Sequence, residues 1–176
     1  MAGSGWRPDS GSKIYYFTSG DPTENTCDLS GIGSGHQKEL QERFVLIYTG
    51  QRRLARNLLR EVVGNYIGGR RESIEALKEM KRLAVLMRFE LEQGNIDAFA
   101  KLLNEHWEVS KLLDQGSTNT CIDQIFESCE DMIDGRFISG AGGGGFLQVI
   151  LKRGVTKEAL RERLKQVFED SGVDAW

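Results

Sequence analysis

Residues 139–150 read SGAGGGGFLQVI. Four consecutive glycines, Gly142, Gly143, Gly144 and Gly145, stand directly before an apolar run with strand composition. Glycine gives up more backbone freedom on folding than any other residue, so such a tract inside ordered structure needs a reason. It is either a slack linker or a place where bare backbone is used. The flanks decide between these. RFISGAG (136–142) reads as one strand and FLQVILK (146–152) as the next. A linker has no place between two core strands, so the tract is expected to be a turn joining neighbours in one sheet. Glycines there permit positive φ and close approach of another group. Two uses stay open. Consecutive N–H groups can form a concave nest for anionic oxygens, or the glycines can simply avoid clashes in a tight hairpin. A G-x-G-x-x-G dinucleotide reading fails, because a strand and not a helix follows.

Working outward, RFVLIYTG (43–50) is the clearest buried strand, a continuous apolar run closed by Gly50. Helical periodicity follows at once. Leu54, Leu58, Val62 and Tyr66 form a stripe with Leu59 and Val63 beside it, Arg52, Arg56 and Arg60 line another face, and Gly68-Gly69 ends the helix. A second helix is expected over about 73–93, with Ile74, Leu77, Met80, Ala84, Met87 and Leu91 inward. A third spans roughly 96–113 and carries Phe99, Leu102, Leu103, His106 and Leu113. Asn119 or Thr120 caps a fourth, with Ile122, Ile125, Phe126, Cys129 and Ile133 on one face. Past the glycines, Thr156 caps a last helix with the stripe Leu160, Leu164, Val167 and Phe168; Gly172 stops it and VDAW is strand-like. The order strand, helices, strand, strand, helix, strand is the α+β, ferredoxin-like split βαβ arrangement with extra helices. It predicts an antiparallel sheet with helices on one face.

The first 37 residues read differently, and the expected division is a flexible N-terminal remnant over 1–37 and the folded domain over 38–176. KIYYFT (13–18) has strand composition, while residues 19–37 hold turn formers and few apolar side chains and read as a long loop. GIGSG (31–35) resembles a phosphate loop in composition, but its flanks are polar and no suitable helix is expected after it.

The chain has 176 residues, enough for one sizeable core, and a net charge of −3. That charge argues against a broad electrostatic grip on nucleic acid or an anionic membrane. No apolar run approaches membrane-spanning length and no secretory pattern opens the chain. Three cysteines without a CxxC pair suggest neither a disulfide framework nor zinc, and point to a reducing cytoplasm. His36 and His106 are too isolated to imply a metal site.

Two stretches carry a family resemblance. GAGGGGFLQVIL resembles the third, C-terminal signature of the GHMP kinase superfamily, and RFVLIYTGQRRLARNLLREVV resembles the start of the C-terminal domain in its L-fucokinase branch. NEHWEVSKLLD and STNTCIDQIFE stand in the expected order between them, so the resemblance covers residues 43–176. It implies a C-terminal domain of an ATP-dependent sugar 1-kinase, with ATP, Mg2+ and an L-fucose-like sugar as ligands. It places Gly140, Ala141, Gly142, Gly143, Gly144 and Gly145 at the active cleft, against the phosphates and the sugar. Thr49, Gly50 and Arg53 match the family's T-G-x-x-R, where an arginine can hold a phosphate bidentately; an ordinary surface arginine is the other reading. Lys111 either reaches the cleft or is solvated, and Trp107 reads as packing. The superfamily's P-x-G-x-G-L-[GS]-[ST]-S phosphate loop is absent from this sequence. The expectation is therefore that a separate N-terminal kinase domain binds most of the ATP and Mg2+, and that this chain alone is inactive. Gly5, Trp6 and Asp9 resemble the family's G-W-x-D-x-x-G with one residue too many, which makes Asp9 the candidate catalytic aspartate. An uncovered cleft face implies self-association. The competing reading is a stand-alone, non-catalytic ferredoxin-like binding module, and a heptose or another hexose is an alternative substrate.

Overall fold

The computed structural model describes residues 13–18, 21–28, 32–51, 56–113, 115–140 and 142–176. Asp9, Arg53 and Ala141 lie outside the described residues. Two strands, β1 (Lys13–Thr18) and β2 (Asp21–Asp28), pair antiparallel as a hairpin. The domain then runs α1 (Ser34–Arg43), β3 (Phe44–Thr49), α2 (Arg56–Ile67), α3 (Arg71–Glu92), α4 (Ile96–Leu113), α5 (Thr120–Ser128), β4 (Ile133–Ile138), β5 (Phe146–Leu151), α6 (Lys157–Phe168) and β6 (Val173–Ala175).

The four-stranded sheet has the order β4-β5-β3-β6 and every pairing is antiparallel. This is the expected split βαβ topology. Side chains alternate across each strand, so register decides which residues share a face. Val45 stands opposite Val149 and Ile47 opposite Leu147. These four are fully buried and form the floor of the main core, roofed by Ile122, Ile125 and Phe126 of α5 and Leu160 and Leu164 of α6. Complete burial of each such side chain is worth about 1.5–3 kcal/mol. Helix starts follow the expected caps. Asn119 Oδ1 accepts from the Ile122 N–H, and Thr156 Oγ1 from the Ala159 N–H.

Cys129 is part of this core and fully buried. Burial first, and then the nearby Asp131 carboxylate, push its thiol up to about 12. The thiolate is the reactive form. Cys129 is therefore expected to stay unmodified when the folded chain is treated with iodoacetamide at pH 8, and to react once the chain is unfolded. Peptide mapping by mass spectrometry reads the difference; labelling at Cys129 in the native chain would contradict the packing.

Several expectations are corrected. The loop predicted over 19–37 contains β2, a polar strand that exists by pairing with β1, and the first turn of α1. A helix does follow the GIGSG stretch, beginning at Ser34 behind an N-cap Gly33 that offers no side-chain cap. Arg43 ends α1 rather than opening β3. In α3 the buried residues are Ser73, Ala76 and Leu83, while Ala84 is exposed; the inward stripe is rotated because α4 is its main neighbour. Ile133 opens β4 instead of closing α5, because the helix ends at Ser128. On α2, Val63 and Tyr66 are exposed, and on α6 so is Val167. The helices do not keep to one face. Ile150 and Phe44 point away from the main core, and there they meet Leu40 of α1 and Ile96, Ala100 and Leu103 of α4.

Gly135 explains how α4 comes so close to the sheet. A Cβ there would stand 2.8 Å from Ala100 O and 2.9 Å from its Cα. The contact lets Asn104 of α4 bond the free edge of β4, donating to Asp134 O at 2.8 Å and accepting from the Arg136 N–H at 2.9 Å. One amide side chain thus substitutes for a missing strand and blunts an edge open to aggregation. At the other edge Arg161 Nε donates to Ala175 O at 2.8 Å.

Candidate functional site

The glycine tract closes the β4–β5 hairpin, and its backbone uses the freedom that only glycine has. Gly140, Gly142, Gly143, Gly144 and Gly145 all have positive φ, from +73° at Gly143 to +150° at Gly144. The turn is pinned rather than slack. Gly143 N–H donates to Ser117 O at 2.7 Å, and Gly145 N–H to Gln51 O at 3.0 Å. Asn119 Nδ2 donates to Gly143 O at 3.1 Å and to Gln51 Oε1 at 3.3 Å. The same Asn119 caps α5, so one side chain ties the helix, the turn and the end of β3 together. The contacts are too close for a larger residue. A Cβ at Gly142 would stand 2.6 Å from Ser117 O, and one at Gly144 3.2 Å from Gln51 O.

Thr49 completes the clasp. It is buried, its N–H donates to Gly145 O at 2.9 Å, and its hydroxyl donates to the same oxygen at 3.1 Å. The Gln51 N–H donates back to Thr49 Oγ1 at 3.3 Å. Thr49 is thus committed to holding the turn. Gly50 has φ +71° and passes under the backbone that precedes β6, where a Cβ would meet Ser171 O at 2.5 Å. Lys111 is drawn to its own helix, with Nζ 2.7 Å from Glu108 Oε2 and 5.7 Å from the Trp107 ring centroid. Trp107 is buried and packs edge-on against Phe126 and Phe137. The structure therefore joins Thr49 to the glycine turn, sets Gly50 against the backbone ahead of β6, and shows Lys111 engaged with its own helix. Arg53 and Ala141, which the resemblance put at the same place, are outside the described residues.

The turn offers backbone donors. Of its amides, those of Gly143 and Gly145 are used internally, whereas the N–H groups of Gly142 and Gly144 donate no bond to the described residues. They can receive acceptor oxygens, and phosphate oxygens are the strongest such acceptors. A divalent cation finds no comparable set: among the described residues no three His, Cys, Asp or Glu side chains gather as a metal site. Tyr48, Phe146 and Trp176 make an aromatic strip next to the turn, with ring centroids 5.3 Å and 6.1 Å apart and Phe146 and Trp176 well exposed. Two cavities, of about 570 Å³ beside α1 and the start of α6 and about 360 Å³ beside α4 and β4, lie elsewhere and are lined mostly by charged side chains.

Sequence reasoning pointed to the glycines, Thr49 and Gly50 and offered Asn119 or Thr120 as the cap, which the structure gives to Asn119. It missed that Ser117 and Gln51 supply the carbonyls that shape the turn, and that Asn119 bonds the turn as well as the helix. Backbone acceptors leave no trace in side-chain identity; only the STN sequence ahead of α5, with its cap residue, marked the neighbourhood.

Comparison with known proteins agrees with this fold. Residues 73–170 match the family described as GHMP kinases C terminal. A bifunctional fucokinase/GDP-fucose pyrophosphorylase of Arabidopsis thaliana is 32% identical over 139 residues, covering 78% of this chain and 13% of that protein. A D-glycero-alpha-D-manno-heptose 7-phosphate kinase of Campylobacter jejuni is 28% identical over 148 residues, covering 78% of this chain and 42% of that protein. Among solved structures, L. major mevalonate kinase in complex with R-mevalonate superposes with a TM-score of 0.66 at 16% identity, over 77% of this chain and 41% of that one. The chain thus spans between about an eighth and two fifths of the length of these proteins. Among the described residues no helix is long and apolar enough to cross a membrane. With the family match extending over more than half of the chain and the fold in agreement with it, the protein belongs to the GHMP kinase C-terminal family.

Proposed function

We propose that this chain is the C-terminal domain of an ATP-dependent sugar 1-kinase of the L-fucokinase type, in which the ATP γ-phosphoryl group passes to the anomeric hydroxyl. The observation that carries the reading is the glycine turn, fixed by Ser117, Gln51 and Asn119, with the Gly142 and Gly144 amides donating to no described residue. Phosphoryl transfer depends on positioning and on neutralising developing charge. A rigid wall of N–H groups supplies positioning and part of that charge compensation, with Gly140, Ala141 and Gly142 to Gly145 as its surface and Arg53, two residues after Gln51 in the sequence, as the proposed phosphate-holding cation. Thr49 and Gly50 support the wall. ATP and Mg2+ are held mainly by an N-terminal domain carrying the phosphate loop, in keeping with the lack of a carboxylate cluster among the described residues. That domain covers the aromatic strip of Tyr48, Phe146 and Trp176, and without it the strip supports self-association. Asp9 is the proposed catalytic aspartate, and the cytoplasm the proposed compartment. The Campylobacter relative, a heptose 7-phosphate kinase by name, supports a heptose as the alternative sugar.

A coupled ADP-release assay tests the proposal. The purified chain with ATP, Mg2+ and L-fucose is expected to show no turnover above background. Co-expression with the N-terminal half of a GHMP sugar kinase is expected to restore it. Robust turnover by the chain alone removes the two-part reading. Failure of every N-terminal half, with L-fucose and with a heptose phosphate, favours a non-catalytic binding module.

A further inference from the structure

Ser117 is nine-tenths buried, and its hydroxyl is the one buried side-chain polar atom among the described residues without a hydrogen-bond partner. Buried hydroxyls almost always find a partner, because stranding one costs stability that an alanine would not cost. Nothing in the packing explains why serine stands here. Its surroundings do point to a use. The Ser117 carbonyl already receives the Gly143 N–H, and a Cβ on Gly142 would stand only 3.0 Å from Ser117 Cβ. The side chain therefore sits immediately beneath Gly142, its hydroxyl closed off from solvent and covered there by a residue that has no side chain. The amides that donate to no described residue belong to Gly142 and to Gly144. Behind Ser117 stands the N-terminal end of α5, the positive end of a nine-residue helix.

We infer that Ser117 Oγ is a third donor in an oxyanion site shared with the Gly142 and Gly144 amides, receiving an oxygen of a phosphoryl group. The inference rests on the kinase reading of the turn and names a residue that the family signature leaves out. Three neutral donors favour an acceptor-rich ligand over a sugar hydroxyl, which must also donate. A phosphoryl oxygen of the nucleotide and one of a sugar phosphate have this chemistry in common. No Lys or Arg of the described residues bonds the turn, so binding to the chain alone is expected to be weak, roughly millimolar.

The test is a 1H–15N NMR titration of the full chain and of Ser117→Ala with inorganic phosphate, ATP and L-fucose 1-phosphate, alongside thermal melts of both proteins. In the wild type the Gly142 and Gly144 amides are expected to shift, and the probe that shifts them at lowest concentration identifies the source of the phosphoryl group. Ser117→Ala is expected to weaken that binding about tenfold or more, as losing a hydrogen bond to a charged group does, and to melt at the same temperature or higher, because no internal bond is lost. Equal affinity in both proteins overturns the inference. So does a Ser117→Ala variant that melts lower, which reveals a structural partner, or a wild type whose turn answers none of the probes. The kinase reading fails separately: a chain that binds through Ser117 but never gains turnover keeps this site and loses that reading.

Discussion

Arg43→Ala is expected to destabilise the chain by about 3 kcal/mol, the low end of the cost of removing one partner from a buried ionic cluster. The guanidinium is buried, and nearly all of its hydrogen-bonding capacity is spent inside the protein. Nε donates to Leu151 O at 2.7 Å, one terminal nitrogen to Glu39 and Asp97 at 2.9 Å and 2.6 Å, and the other to Asp134 at 2.8 Å. These partners come from α1, α4, the irregular start of β4 and the end of β5, so one side chain fastens four elements. Its loss leaves the Leu151 carbonyl without that bond, and three carboxylates with only the exposed Arg153, bonded to Glu39 and Asp97, to offset them. The low end is chosen because water reaches those carboxylates; the Asp97 side chain is 48% exposed. For a chain of this size the effect corresponds to a fall in Tm of roughly 6–12 °C, and chemical denaturation should show a lower midpoint at unchanged slope. The pH dependence has a definite sign. The hydrogen bond from Arg43 holds the Asp97 carboxyl below the usual carboxylate range, against a smaller opposing effect of burial. A lowered folded pKa gives stability that is present above the unfolded pKa, near 3.9, and is lost as pH falls through the folded value. The gap between wild type and Arg43→Ala is therefore widest near neutrality and narrows below about pH 4. Equal midpoints at pH 7 would show that the cluster is incidental.

Arg43 also shows where sequence reading stops. Adjacent to FVLIYT it looks like the polar start of a strand, and nothing local says that it is a helix end with a buried charge. The three acids that hold it are scattered through the sequence and meet only after the sheet has formed. The helix it closes was equally hidden, since SGHQKELQER carries one apolar side chain, Leu40, and makes no stripe. By contrast β3, β5, α4 and α5 were legible, because apolar period and cap chemistry both survive in the residue types. The site divides in the same way. Four glycines in a row could be read as a turn that uses bare backbone, and the choice between a clash-avoiding hairpin and a donor surface could not. The structure shows the close approach: Gly142 and Gly144 face near neighbours and their amides donate to no described residue, while Gly143 and Gly145 spend theirs on Ser117 and Gln51.

That division makes the glycines unequal, and single alanine substitutions should rank them. Gly142→Ala incurs two penalties. Its φ of +83° lies in the left-handed region, which costs an L-residue about 1–2 kcal/mol. The new Cβ would also stand 2.6 Å from Ser117 O and 2.7 Å from Ser117 Cα. These are backbone atoms ahead of a capped helix, so no rotamer change relieves the clash. The turn must lift instead, stretching the Gly143–Ser117 bond and the Asn119 contact with it. Gly145→Ala provides the control. Its φ of +86° imposes the same conformational cost, but no neighbour lies within 4 Å of the added carbon. Gly145→Ala is expected to lose about 1–2 kcal/mol, and Gly142→Ala about 2–4 kcal/mol once the clash is added to the strain. Urea midpoints of the two variants, measured side by side, read the difference directly. If an active complex is reconstituted, the phosphoryl-transfer rate should fall further in Gly142→Ala than its stability alone explains, since the displaced segment carries the two amides that donate to no described residue. Indistinguishable midpoints would mean that Ser117 yields freely and that the turn is looser than its hydrogen bonds imply. In that case the rigid wall on which the functional reading depends would no longer stand.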